Sequence, residues 1–154
     1  MIVASANPFD WRTVLLARHA QHVVLIHFPI ALYMVAVGFD FLWQWTKNDD
    51  LVTVAFFNLF LAAVLVVPTF ATGLVAWQWA LEAQKLKGAL LLHLVLASAF
   101  TVLLWVVFWI HWRSWRDPRR RLPSYRLPVE VLALFLVGIT AHLGGFLSGV
   151  NGAG

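Results

Sequence analysis

Six histidines, His19, His22, His27, His93, His111 and His142, are the residues in this chain best equipped for chemistry. An imidazole placed in an apolar interior is costly, faces the inside of a helix bundle, and there holds a metal or cofactor or pairs with another polar group. Cysteine is absent. That excludes disulfides, thiolate metal sites, iron–sulfur ligation and covalent haem attachment, so any redox or metal chemistry must use histidine or carboxylate. The sequence shows no glycine-rich phosphate loop, catalytic triad or cleft of paired carboxylates. No catalytic residue is therefore assigned, and an independent bond-breaking enzyme is not expected.

The elements that must carry these histidines follow from hydropathy. Of 154 residues, 62% are hydrophobic and 12% charged, which leaves a water-soluble domain with nothing to cover its surface. Four apolar stretches, 23–45, 51–81, 88–112 and 127–149, each reach the roughly 20 residues that a membrane crossing needs. A soluble bundle would show polar stripes at helical spacing, and the middles of these stretches have none. The expected fold is all-α: one integral membrane domain over 1–154, a four-helix bundle running up and down. The first residues carry no basic, apolar and small-residue series of a cleaved leader, so the first span is expected to act as its own insertion signal.

Basic residues set the orientation. The side of the amino terminus, side one, carries Arg12, Arg18, Lys85 and Lys87; side two carries Lys47, Arg113, Arg116, Arg119, Arg120, Arg121 and Arg126. Short loops rich in Lys and Arg stay cytoplasmic, which puts side two in the cytoplasm and both termini outside it, in a multi-pass protein of the inner membrane. The same rule explains the basic 113–126 loop without a nucleic-acid or anionic-lipid partner. Trp43, Trp45, Trp109, Trp112 and Trp115 fall at side two and Trp77 and Trp79 at side one, where indoles anchor a span at the headgroups. Trp11 suggests a short interfacial helix before the first span.

Depth then sorts the histidines. His27 and His93 lie about five residues, and His142 about seven, inside the side-one ends of their spans, which puts all three roughly 8 to 10 Å deep. His22 and His19 fall at the interface. His111, on the face of His93 but about 27 Å nearer side two, has no second histidine at its level. Two imidazoles on facing helices are the axial ligands of a b-type haem, and His27 and His93 are the expected iron ligands. His142 would replace one of them or touch the cofactor edge, and His22 would orient a propionate or help hold a second metal or haem. Thin helix faces at that depth would admit the macrocycle: Ala71, Thr72, Gly73 and Ala76 on the second span, Gly138, Ala141, Gly144 and Gly145 on the fourth. The same small residues also serve close helix packing. A chlorophyll-type pigment, copper or zinc on His22, His27, His93 and His142, or a cofactor-free structural subunit are the alternatives.

Asp40 and Glu130 are the carboxylates within the spans. Both fall near side two within reach of Arg113 or Arg126, where such pairs more often fix helix register than do chemistry. Pro29 and Pro68 interrupt the first and second spans, and Pro29 frees a backbone carbonyl near His27.

The stretch from His22 to Leu32, His-Val-Val-Leu-Ile-His-Phe-Pro-Ile-Ala-Leu, resembles the opening signature His-Pro-x-x-Val-His-Phe-Pro-Ile-Ala-Leu of a bacterial four-helix membrane family defined as a domain of unknown function. Asp40, the stretch from Ala71 to Leu74, His93 and Leu143-Gly144-Gly145 resemble its later blocks. Val23 replaces the signature proline, and the Asp-Trp that often follows the second helix gives way to Trp77-Gln78-Trp79. Members are joined to cytochrome c or Rieske-type domains, so the resemblance implies work beside an extracytoplasmic redox carrier. The combined expectation is a haem b subunit that passes electrons between quinone, or another membrane cofactor, and such a carrier, within a larger membrane complex.

Overall fold

The structure, a computed structural model, describes residues 18–79, 81–117 and 122–148. The interfacial helix expected around Trp11, the side chain of His19 and Arg119 to Arg121 lie outside the described residues. Among the described residues five helices follow in order: α1 (Arg18–Leu25), α2 (His27–Thr46), α3 (Asp49–Trp79), α4 (Gly88–Arg116) and α5 (Arg126–Leu147). Helices α1 and α2 run on as one crossing, so four helices are long and apolar enough to span a membrane: Gln21–Thr46, Asp49–Trp79, Gly88–Arg116 and Arg126–Leu147. This is the expected all-α bundle. The first crossing starts earlier than hydropathy suggested, because the polar start of α1 finds hydrogen-bond partners on α3.

Local chemistry ends the helices where the sequence turns polar. Lys47 takes a left-handed conformation, φ 54°, and donates its N–H to Trp43 O. Asn48 Oδ1 then accepts the N–H of Asp50 at 3.0 Å, filling one of the first-turn donors of α3, whose Asp49 and Asp50 face the positive end of its dipole. Arg113 and Arg116 complete the last turn of α4, again matching the dipole. Cations also lie over indoles at side two: Lys47 over Trp43 at 4.6 Å, Arg113 over Trp109 at 4.9 Å and Arg116 over Trp112 at 5.2 Å. Each apolar anchor is thereby tied to a charge that reaches the headgroups.

Pro29 breaks the first crossing between α1 and α2. Its ring nitrogen has no hydrogen to give Leu25 O, and Thr69 Oγ1 of α3 lies 3.4 Å from that carbonyl.

Helices α2 and α3 pack along each other, as do α4 and α5. The pairs close into a ring through α3 with α4 and α2 with α5. The centre is filled by Tyr33, Val37, Leu59, Val66, Phe100, Leu104, Val107 and Val137, with the small residues Ala36, Ala62 and Ala133 among them. Tyr33 meets Phe100 edge to face, with centroids 5.4 Å apart. The outer surface is apolar as well: Phe28, Val102 and Phe135 are 52%, 62% and 64% exposed. Apolar residues inside and outside suit a bundle solvated by lipid and not one solvated by water.

Candidate functional site

Two polar layers interrupt this apolar bundle. Near side one, the His22 ring of α1 reaches α3, where its Nδ1 lies 3.1 Å from Thr69 O and 3.3 Å from Thr72 Oγ1. Thr72 already donates its hydroxyl hydrogen to Thr69 O at 2.8 Å, so the imidazole is the donor to both oxygens. A Cβ on Gly73 would come within 2.9 Å of His22 Cε1. Only glycine lets the ring approach that carbonyl.

The second hairpin rebuilds this seat. His93 of α4 donates from Nδ1 to Thr140 O on α5 at 3.0 Å, and a Cβ on Gly144 would come within 3.1 Å of its Cε1. Both His-to-carbonyl bonds join residues 47 positions apart. Beneath them Thr69 Oγ1 donates to Leu65 O and Thr140 Oγ1 to Leu136 O, at 2.8 and 2.7 Å. These hydroxyls are satisfied within their own helices, as the bilayer requires.

The residues expected around a cofactor are thus divided. Thr72 and Gly73 belong to His22, and Gly144 belongs to His93. His27, at the start of α2, and His142, on α5, are exposed on the outer surface of the bundle. The side-one histidines form no group of three or more ligands among the described residues. A Cβ on Gly138 would meet nothing within 4 Å, so that glycine borders no ring.

The second layer lies toward side two. Asp40 of α2, His111 of α4, and Arg126 and Glu130 of α5 are buried together at 2% exposure or less. His111 Nε2 donates to Glu130 Oε1 at 3.1 Å and lies 3.0 Å from Asp40 Oδ2. Arg126 Nε is 3.6 Å from both of those oxygens, and one guanidinium nitrogen donates to Pro123 O at 3.4 Å. Tyr33 closes the layer from the apolar side by donating its hydroxyl to Glu130 O at 3.0 Å. Three of the four crossings therefore meet at one point.

Charge arithmetic says what this layer can hold. Two carboxylates balance one guanidinium and one imidazolium, so the tetrad is neutral when His111 carries both ring protons. Neutrality is what a buried cluster in hydrocarbon requires. Asp40, His111 and Glu130 each offer a ligand atom within 4.8 Å of the others, a donor set that suits a divalent cation. Arg126 already supplies the cation's charge at the same two oxygens, and a divalent ion beside it would leave an excess of positive charge. The arrangement fits a neutral lock between helices better than a metal site.

Sequence reasoning placed Asp40 and Glu130 near side two with Arg126 in reach but left His111 alone at its level. Paired carboxylates are present after all, with that histidine between them. The signal lay in depth: Asp40, His111 and Glu130 each fall within about two turns of the side-two end of their helices. Matching depth across residue types, and not among histidines only, would have joined them.

A sequence profile for the family described as "Predicted membrane protein (DUF2231)" matches residues 18–154. No curated protein and no solved structure matches the chain. With a match that takes in all four crossings and both polar layers, the chain belongs to this family of predicted membrane proteins.

Proposed function

We propose that the protein is a haem b-binding electron-transfer subunit of the inner membrane. On this reading it exchanges electrons with quinone and with an extracytoplasmic cytochrome or Rieske-type partner, and both termini lie outside the cytoplasm. The observation that carries the reading is the way the side-one imidazoles are held. A ring that donates from Nδ1 to a backbone carbonyl, as His93 does to Thr140 O, is fixed in the tautomer whose Nε2 lone pair is available to a metal, and the carbonyl strengthens it as a ligand. Bound there, haem would supply a reversible one-electron change at its iron. The chain's own residues would orient the ring, exclude water through the surrounding apolar side chains, and set the potential by burial.

A reduced-minus-oxidised spectrum of the full chain, purified in mild detergent, tests this directly. A sharp b-type band is the expected result, and a colourless protein overturns it. Long-wavelength absorption would assign a chlorophyll-type pigment, and copper or zinc by elemental analysis would assign metal handling.

One observation favours a second reading, that of a structural subunit without its own cofactor. The Asp40–His111–Glu130–Arg126 tetrad joins three crossings by side chains alone, and the apolar outer faces suit packing against neighbouring membrane helices.

A further inference from the structure

The two hairpins are copies of one another. Shifting the first by 71 positions places His22 on His93, Leu65 on Leu136, Thr69 on Thr140 and Gly73 on Gly144, each pair identical in type. The contacts repeat with the residues, since both imidazoles bond the carbonyl of the equivalent threonine and both abut the equivalent glycine. Core positions correspond as well: Ala62 with Ala133 and Val66 with Val137 are buried in both copies.

In a ring of four crossings, an operation that carries the first onto the third and the second onto the fourth is a half-turn about the bundle axis. Each hairpin starts and ends on side one, so that axis runs along the membrane normal. Asp40 and His111 are equivalent under the same shift, and they touch at 3.0 Å. Side chains at equivalent positions can touch only where they straddle the axis, so the axis passes between these two. His22 and His93, also equivalent and on the same two diagonally opposed crossings, each precede Asp40 or His111 by eighteen positions, about five helical turns, which puts them at one depth near side one on the helix faces that meet at the axis.

We infer that His22 and His93 are the paired ligands of one axial cofactor lying on this pseudo-two-fold axis, with His27 and His142 outside its coordination. The inference rests on the haem reading above and names its ligands. A cofactor on a half-turn axis must meet equivalent residues from both halves, and a macrocycle with two equal faces satisfies that condition. No other pair of the six histidines does: His27 corresponds to Ser98, His142 to Ala71, His111 to Asp40 and His19 to Leu90.

The test uses the full chain with His22→Gly, His93→Gly, His27→Gly and His142→Gly introduced singly. Haem content, the low-spin electron paramagnetic resonance signal of the oxidised protein and monodispersity on size exclusion are measured for each. Wild type is expected to carry one haem per chain with a low-spin, bis-imidazole signal. His22→Gly and His93→Gly should each lose haem about tenfold or turn high-spin, and added imidazole should restore the low-spin signal, which a purely structural histidine would not allow. His27→Gly and His142→Gly should match wild type. Loss of the low-spin signal in either of the latter, or its retention in either of the former, overturns the ligand pair while leaving haem binding intact. Failure of imidazole to restore monodisperse His22→Gly or His93→Gly protein overturns it too. A wild-type protein without haem fails differently, because it removes the functional reading itself and the pair with it.

Discussion

Asp40 on the first crossing and His111 on the third occupy equivalent positions of the two hairpins and lie 3.0 Å apart, Oδ2 to Nε2, both sealed from solvent. The contact turns a repeat into a heterologous pair, and Glu130 and Arg126 complete it from one side only. Their counterparts in the first hairpin are Leu59 and Ala55, both buried and apolar.

Removing one charge from this tetrad should be expensive. Asp40→Asn or Glu130→Gln leaves Arg126 and His111 with uncompensated charge in an apolar interior, a loss on the order of 3 to 5 kcal/mol. Thermal unfolding in detergent should show a large fall in midpoint that added salt does not alter, because buried pairs are screened far less than exposed ones. A fall that salt abolishes, or none, would place the cluster in contact with water.

Removing all four charges should cost less than removing one. With Asp40, His111, Arg126 and Glu130 all replaced by Leu, no orphaned charge remains, and apolar replacement of a buried ionic network is often neutral or stabilising. The quadruple variant is expected to unfold at a higher temperature than Asp40→Asn. The reverse order would mean that the network contributes more than neutrality.

Glycine substitutions should divide by whether an imidazole is present. Gly73→Ala and Gly144→Ala drive a methyl to 2.9 and 3.1 Å from a histidine ring, an overpacking cost of roughly 1 to 3 kcal/mol. Gly38→Ala and Gly138→Ala meet nothing within 4 Å and should be neutral or gain up to about 1 kcal/mol from helix propensity. Unfolding midpoints of the four variants decide the matter, and equal behaviour of the two pairs would remove the seats as a constraint.

Tyr33→Phe keeps the ring that packs on Phe100 and deletes only the hydroxyl that donates to Glu130 O. The expected cost is about 1 kcal/mol. A loss several times larger, read from the same unfolding curves, would show that the hydroxyl holds the Glu130 helix turn in place.

The two polar layers should behave independently. His93 and His111 are separated by about 27 Å along one helix, where an interaction between unit charges at an effective dielectric of 20 is only about 0.6 kcal/mol. Any visible spectrum found for the wild type should therefore survive Asp40→Asn unchanged in position. A displaced band would tie the layers together through the backbone.

The four crossings were legible because long apolar runs are separated by short polar breaks, and Asn48 with Asp49 and Asp50 marks one boundary residue by residue. The start of the first crossing was not. Arg18, His19, Gln21 and His22 lower local hydropathy, so the apolar signal begins at Val23, yet Thr69 and Thr72 supply partners that let His22 sit within the helix. That displacement matched His27 with His93 in depth, whereas it is His22 and His93 that make equivalent bonds to a threonine carbonyl. The tetrad stayed hidden for a related reason: counting residues gives the level of a side chain in the bilayer, whereas the direction it faces depends on how neighbouring helices rotate against it. The repeat is faint in the sequence because little beyond the four seat residues and a few packing positions is identical between the hairpins.

The one-sided decoration of the central contact also dictates which halves can associate. Two first hairpins brought together would oppose Asp40 to its own twin, and two second hairpins would set two Arg126 and two protonated His111 against only two Glu130, a surplus of positive charge in the same cramped volume. Only an unlike couple closes without repulsion. Any exchange of hairpins between neighbouring chains would thus have to be reciprocal, each molecule lending the half that the other lacks.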